Sequence, residues 1–261
     1  MFNISSYTPH FLKVTTVQLV LGPVALAYLL MTGNYIWLWA TFIFWFLGYV
    51  VGEGIFLHRY FSHMAFETHQ WLAKLFAFLA VLSGFPGPIA YRAIHIGMHH
   101  AHSDTDKDSH SPMHGFWHAW IMWFAKPIKI PLLISKNLMR DSFYVFLETH
   151  IIKVWWITFV LFAIIDWRLA LFTQGLAGFI GIHMAGIANC YSHLYGTRRF
   201  DTKDNSRNNW WLSWITWQGS SAFQNNHHAF PSRYHDSYAW YEFDVGKWII
   251  PLIATKINVR K

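Results

Sequence analysis

The stretch YIWLWATFIFWFLGYVVGEGIFL, Tyr35 to Leu57, followed at once by HRYFSH, His58 to His63, decides how this chain is read. The first part carries a single charge, Glu53, and is long enough as a helix to cross about 30 Å of hydrocarbon. The second part is polar and holds two histidines. A membrane span that runs directly into a histidine-rich segment places chemistry at the bilayer surface. Working back toward the N-terminus, Phe11 to Gly33 is a second apolar run, interrupted mainly by Lys13. Met31-Thr-Gly-Asn34 is short enough to demand a tight turn, so these runs predict an antiparallel hairpin. Working forward, Ile151 to Ile165 and Leu169 to Tyr191 predict a second hairpin, with Asp166 and Arg168 at its turn. Trp71 to Ile89 is apolar but broken by Gly84-Phe-Pro-Gly-Pro88, which predicts a short buried or interfacial helix. The expected fold is a single all-α integral membrane domain over residues 1–261, with four transmembrane helices in two hairpins and a helical cap at one face.

Composition agrees. The 261 residues are 54% hydrophobic and 13% charged, too little charge to cover a water-facing globule. With 20% aromatic residues the chain is no disordered segment, and a lone cysteine, Cys190, excludes an internal disulfide scaffold. Of the 20 Lys and Arg, Arg168 marks the far-side turn, while most others fall in the tails or in segments 58–150 and 196–261. The positive-inside rule then sets both termini and both large polar segments on the cytoplasmic side. A bacterial inner membrane is the expected location, with the first span serving for insertion. This topology accounts in part for the net charge of +7, and no nucleic-acid motif accompanies it.

Three segments carry the chemistry: His58-Arg-Tyr-Phe-Ser-His63, His95-Ile-Gly-Met-His99-His100 and Gln224-Asn-Asn-His227-His228. Each lies at or beyond the end of an apolar segment, so all can meet at one membrane face. Imidazole suits Fe, Cu, Zn and Ni. In an α-helix, positions 95 and 99 share a face, while neighbours such as 99 and 100 point about 100° apart. A His-His pair can therefore serve two ions, and two such pairs predict a dinuclear centre. Isolated histidines read differently: His10, His69, His150 and His235 fit interfacial anchors. His183, inside the fourth span, reads either as functional or as a helix-to-helix hydrogen-bonding group.

The three boxes, in this order and spacing, resemble those of the membrane-bound fatty acid desaturases of the stearoyl-CoA desaturase type. The resemblance extends to His102-Ser-Asp-Thr-Asp-Lys-Asp-Ser-His110, to Asn189-Cys-Tyr-Ser-His193-Leu-Tyr-Gly196 and to Phe223 through Pro231, and covers the chain from about residue 45 onward. It implies two iron ions held almost entirely by histidine. One would take His58, His63, His100 and His228, with Asn189 near it through water; the other would take His95, His99, His193 and His227. The remaining ligand position falls on Gln224. Box two carries one more residue before its pair than stearoyl-CoA desaturases do, which leaves the pairing of rings to irons open. Asp104, Asp106 and Asp108 read either as acceptors from the outer ring nitrogens of ligating histidines or as solvated loop carboxylates. Glu53 reads either as such a partner or as a polar lock between helices.

The implied reaction removes two hydrogens from neighbouring methylenes of a saturated acyl chain, using O2 and electrons from a separate ferredoxin-like or cytochrome b5-like donor, and leaves a cis double bond and water. The substrate would be an acyl-CoA, an acyl carrier protein thioester or an acyl lipid. Arg198, Arg199, Lys203 and Arg207 fit either its anionic head group or the positive-inside pattern. Trp210, Trp211, Trp214 and Trp217 fit an interfacial belt sooner than a channel lining. Rival readings are a related di-iron fatty-acid or alkane hydroxylase, an acyl decarboxylase, or a membrane metal transporter. A transporter is disfavoured because its ligands would lie along a path near the bilayer centre.

Overall fold

The computed structural model describes residues 11–125 and 128–258; the anchor expected at His10 lies outside them. Among the described residues, four helices are long and apolar enough to cross a membrane: α1 (Phe11–Thr32), α2 (Trp37–Ser62), α5 (Ser142–Ile165) and α6 (Trp167–Leu194). Between the hairpins lie α3 (Gln70–Leu82) and α4 (88–100). Beyond α6 come α7 (Trp210–Thr216), α8 (Gln224–Ala229) and α9 (Gly246–Ile253). The two hairpins and the polar helices at one end match the expected all-α membrane architecture.

The spans are tied together by the few polar residues they contain. Gln18 of α1 is fully buried and its Nε2 donates to the carbonyls of Ser83 (3.1 Å) and Gln174 (3.0 Å). Gln174 of α6 in turn donates to the carbonyl of Trp155 in α5 at 3.0 Å, and Thr41 of α2 donates to the carbonyl of Phe172 in α6 at 3.0 Å. Lipid offers no competing partner, so each such bond contributes on the order of 1 kcal/mol to helix association. Close approach needs small residues. A Cβ on Gly48 of α2 would lie 1.7 Å from the Ser83 hydroxyl, and one on Gly52 would lie 3.2 Å from Ala80, so α2 and α3 pack nearly backbone to backbone.

The second span runs on through box one to Ser62, and two boundaries differ more widely from the sequence reading. The third span begins at Ser142 rather than Ile151, because Asp141 caps the Phe143 amide (2.9 Å) and the polar residues that follow are used internally. Glu148 accepts from the Ala90 amide at 3.1 Å at the start of α4, and the helix passes His150 with a local kink. The expected helix 71–89 ends at Leu82, because Gly84 takes φ +95° in a turn that meets Gln18; a new helix starts at Pro88.

An element not expected from the sequence closes the polar end. β1 (Phe66–Thr68) pairs antiparallel with β2 (Ala254–Ile257), joining the end of box one to the C-terminal segment. Beneath this clip, Arg59 is buried between Asp236 (2.9 Å) and Asp244 (2.7 Å). Arg59→Leu leaves two buried carboxylates without their cation and is expected to cost about 3–5 kcal/mol, read from unfolding in detergent. Lys256→Ala, at the exposed pair with Glu67, is expected to change stability by less than about 1 kcal/mol.

Candidate metal centre

Box one ends α2 and box two ends α4, and both are wound as π-helix rather than α-helix. A π turn bonds residue i to i+5, as the His63 amide does to the His58 carbonyl at 3.1 Å. The two boxes share this five-residue spacing: His58 lies beside His63, with ring centroids 4.8 Å apart, and His95 beside His100, with Nε2 atoms 3.1 Å apart. Box three sits on α8, whose neighbours His227 and His228 diverge in direction.

All eight histidines read from the sequence as ligands come together, in groups that differ from the partition the resemblance implies. His58, His63, His95, His100 and His227 form one group whose ligand atoms lie within 4.8 Å of one another, and His99, His193 and His228 form a second. The π turn moves His95 off the face of His99 and onto that of His100, and His227 and His228 exchange places relative to the expectation.

Within these groups, ring nitrogens face ring nitrogens. The Nε2 separations are 2.8 Å for His63 and His95, 3.1 Å for His58 and His227, 3.0 Å for His100 and His227, and 3.2 Å for His99 and His228. A cation about 2.1 Å from each of two neighbouring ligands at right angles would hold them about 3 Å apart, so these separations suit bound metal. Several buried polar atoms also lack a protein partner: His58 Nδ1, His193 Nε2 and Gln224 Oε1. Burial pushes His63, His95, His100 and His227 well below the ordinary histidine value; positive neighbours push the same way, partly offset at His227 by Asp244 and Asp204. Neutral imidazole is the form that ligates a metal.

Carboxylates orient the second group. The Nδ1 of His99 lies 2.9 Å from Asp108, that of His193 3.0 Å from Asp104, and that of His228 2.7 Å from Asp204. A carboxylate accepts, so each Nδ1 carries a proton, which orients the ring so that Nε2 turns inward and is free to ligate when the ring is neutral. Burial would raise the Asp108 and Asp204 carboxyls, but their histidine partners hold both well below the usual carboxylate range. Asp106, by contrast, is exposed and takes no part.

Glu53 is the polar lock, not a histidine partner. Tyr91 of α4 donates its hydroxyl to one carboxylate oxygen, and Gln218 donates to the other at 2.9 Å. Gln224 is buried with its amide oxygen free of protein donors, in a pocket of about 50 Å³ that also holds His58, His95, His99 and Asn189. A more apolar cavity of about 110 Å³ adjoins it, sharing Glu53, Tyr91, His95, Ala185 and Asn189 and extending to Phe85 and Ile182.

The basic loop beyond α6 is partly committed to its own fold. Arg199 pairs with Glu242 at 2.7 Å, Arg198 donates to the Thr202 carbonyl at 2.7 Å, and Arg207 donates to the Asn205 carbonyl at 3.2 Å; Lys203 is exposed. Trp210 and Trp214 are exposed, and Trp217 packs on Phe42, Trp45 and Phe46; none of these lines the cavities described above. His69, His150 and His235 lie outside both histidine groups, and His183 accepts from the Trp120 indole at 3.1 Å.

Sequence reasoning missed Asp204 and His110. Asp204 is far in sequence from the boxes and sits among basic residues, so only the fold reveals its partner. His110 stacks on His99 with centroids 4.6 Å apart and lies 3.7 Å from Asp108; its place at the end of the acidic segment was the available signal.

Comparison with known proteins agrees with this geometry. The family described as fatty acid desaturase matches residues 35–250. The chain is 31% identical to Delta-9 acyl-lipid desaturase 2 of Arabidopsis thaliana over 85% of its own length and 75% of the relative's. It is 34% identical to Delta-9 desaturase-like 5 protein of the same plant, over 75% of its length and 66% of the relative's. It is 31% identical to sn-2 palmitoyl-lipid 9-desaturase of Nostoc sp. (strain 36), over 82% of its length and 77% of the relative's.

Asp204→Asn keeps the side-chain size but weakens the hold on His228. Metal retained after dialysis is expected to fall 10–100-fold in apparent affinity. The pH dependence has a definite sign. Because the folded-state carboxyls of Asp108 and Asp204 are lowered, their stabilisation is present above the unfolded carboxylate value, near pH 4, and is lost as pH falls further through the folded values. Acid unfolding of the metal-free Asp204→Asn chain is therefore expected to begin at higher pH than that of the native chain.

Proposed function

Since the chain belongs to the fatty acid desaturase family and is an oxidoreductase that desaturates acyl chains, we propose that it does so with two iron ions held by His58, His63, His95, His100 and His227 on one side and by His99, His193 and His228 on the other. The observation that carries this reading is the convergence of eight inward-facing imidazoles at the ends of membrane spans, beside an apolar cavity. Gln224, with its free amide oxygen, and Asn189 are the further groups near the metals. When bound, the iron pair supplies the activation of O2 that an unactivated methylene requires, since no acid or base side chain removes such hydrogens.

The protein's own residues do the rest. Asp104, Asp108 and Asp204 hold the outer protons of three imidazoles, so each ring keeps one orientation. Glu53, Tyr91 and Gln218 fix α2 to α4 and to the loop after α7, directly beside His95. The cavity bounded by Phe85, Ile94, Ile182 and Ala185 takes the apolar chain and excludes water from the reacting carbons. The four spans leave this face at the bilayer surface, and the distribution of Lys and Arg supports its placement on the cytoplasmic side.

The substrate is an acyl lipid or acyl thioester whose anionic head group meets the basic loop around Lys203, Arg198 and Arg207, with Arg199 bracing that loop. The relatives named for acyl lipids and for position nine support an acyl-lipid substrate and a double bond at that carbon. Two electrons per turnover come from a separate carrier of the ferredoxin or cytochrome b5 kind. The ligands sit at helix ends on one side rather than along a path through the bilayer, which supports an enzyme over a transporter.

Expression in a host with a saturated acyl pool is expected to yield new cis-monounsaturated chains, identified by gas chromatography with double-bond localisation. His99→Ala and His228→Ala are each expected to lower the yield by at least about 10²-fold, since each removes a ligand. Hydroxylated or chain-shortened products in place of alkenes would sink the desaturase reading in favour of its di-iron rivals.

A further inference from the structure

Between box two and α5 runs an aromatic strap, Phe116 to Trp123, that neither the spans nor the boxes require. It lies on α6. The Trp120 indole donates to Nδ1 of His183 at 3.1 Å, and Trp117 stacks on Trp120 with centroids 5.7 Å apart. One turn along α6, a Cβ on Gly186 would stand 2.2 Å from the Trp120 carbonyl oxygen, so the strap touches the helix backbone itself.

This contact forms a wall of the larger cavity. Ile182, Ala185, Gly186 and Asn189 line the cavity from α6, and Trp120 and Trp123 line it from the strap. The four α6 residues follow the i, i+3, i+4, i+7 pattern and so share one helix face. The cavity extends from His95 and Asn189 at the metal end to Ile182, a distance of about 10 Å along the helix. Trp120 lines this wall against His183 and Gly186, between the levels of Ile182 and Asn189 on α6. Its orientation is held, because an indole N–H in an apolar wall is costly to leave without a partner and His183 is that partner.

We propose that Trp120, fixed by His183 beside the small residues Ala185 and Gly186, sets how much acyl chain the cavity admits beyond the metal pocket. This inference rests on the acyl-chain reading above. Removing the indole opens the slot to longer chains; filling the slot from Ala185 closes it to them.

The test supplies two saturated chains that differ by two methylenes, in equal amounts, to the full-length chain in membranes, and reads the ratio of longer to shorter alkene. Trp120→Ala is expected to raise this ratio on the order of tenfold, the effect of burying two further methylenes. Ala185→Leu is expected to lower it by a similar factor. His183→Ala shifts it in the direction of Trp120→Ala, and His183→Gln, whose amide oxygen still accepts from the indole, returns it to the native value. Iron content stays at the native level in all four variants. An unmoved ratio in both Trp120→Ala and Ala185→Leu overturns the inference. So does loss of all product in Trp120→Ala while His183→Ala and Ala185→Leu keep the native ratio. Absence of alkenes from the native chain overturns the desaturase reading, and this inference with it.

Discussion

Buried nitrogen lone pairs crowded against one another are the constraint on which the rest of the structure depends. As neutral imidazoles these rings cannot satisfy one another by hydrogen bonding alone: His99 and His228 face each other at Nε2 while both give their Nδ1 proton to a carboxylate, and in the first group His95, His100 and His227 each face two ring nitrogens with a single Nε2. Burial also disfavours extra protons. A cation between the rings resolves the crowding, and much of the surrounding fold serves to keep the rings in place until one arrives.

That service explains several features that look unrelated. The π winding of α2 and of the end of α4 turns a five-residue spacing into a shared face. The buried Arg59, between Asp236 and Asp244, holds the start of box one to the segment after box three, and the β1–β2 clip ties the chain after box one to the C-terminal segment. Glu53 accepts from Tyr91 and Gln218 on its two oxygens, so it joins α2 to α4 and to the loop after α7 beside His95. The spans themselves are joined by Gln18, Gln174 and Thr41, polar residues that lipid would otherwise leave without partners.

The sequence made the architecture legible because hydropathy and the turn residues act locally: Met31 to Asn34, Asp166 and the Gly84 to Pro88 break all mark turns where they were expected. Seven of the eight histidines stood out for the same reason, since each box is a short contiguous segment, and His193 stood out through the Asn189 to Gly196 segment. What failed to show were relations between distant residues. Asp204 finds His228 and Arg59 finds Asp236 and Asp244 only through folding. The third span starts at Ser142, ahead of the apolar run from Ile151, because Glu148 inside the helix is paired with the start of α4, a relation that hydropathy does not show. The grouping of rings could not be read from the boxes alone, because His95 meets His100 through the π winding of box two and His227 and His228 take their groups from how α8 packs against the other boxes.

The central claim is that eight histidines in two groups hold two irons. X-ray absorption at the iron edge, together with iron analysis, of the purified chain in detergent tests it most directly. The account predicts close to two irons per chain, each with a first shell dominated by imidazole nitrogen at about 2.1 Å. A single iron per chain, or a first shell dominated by carboxylate oxygen, would contradict it.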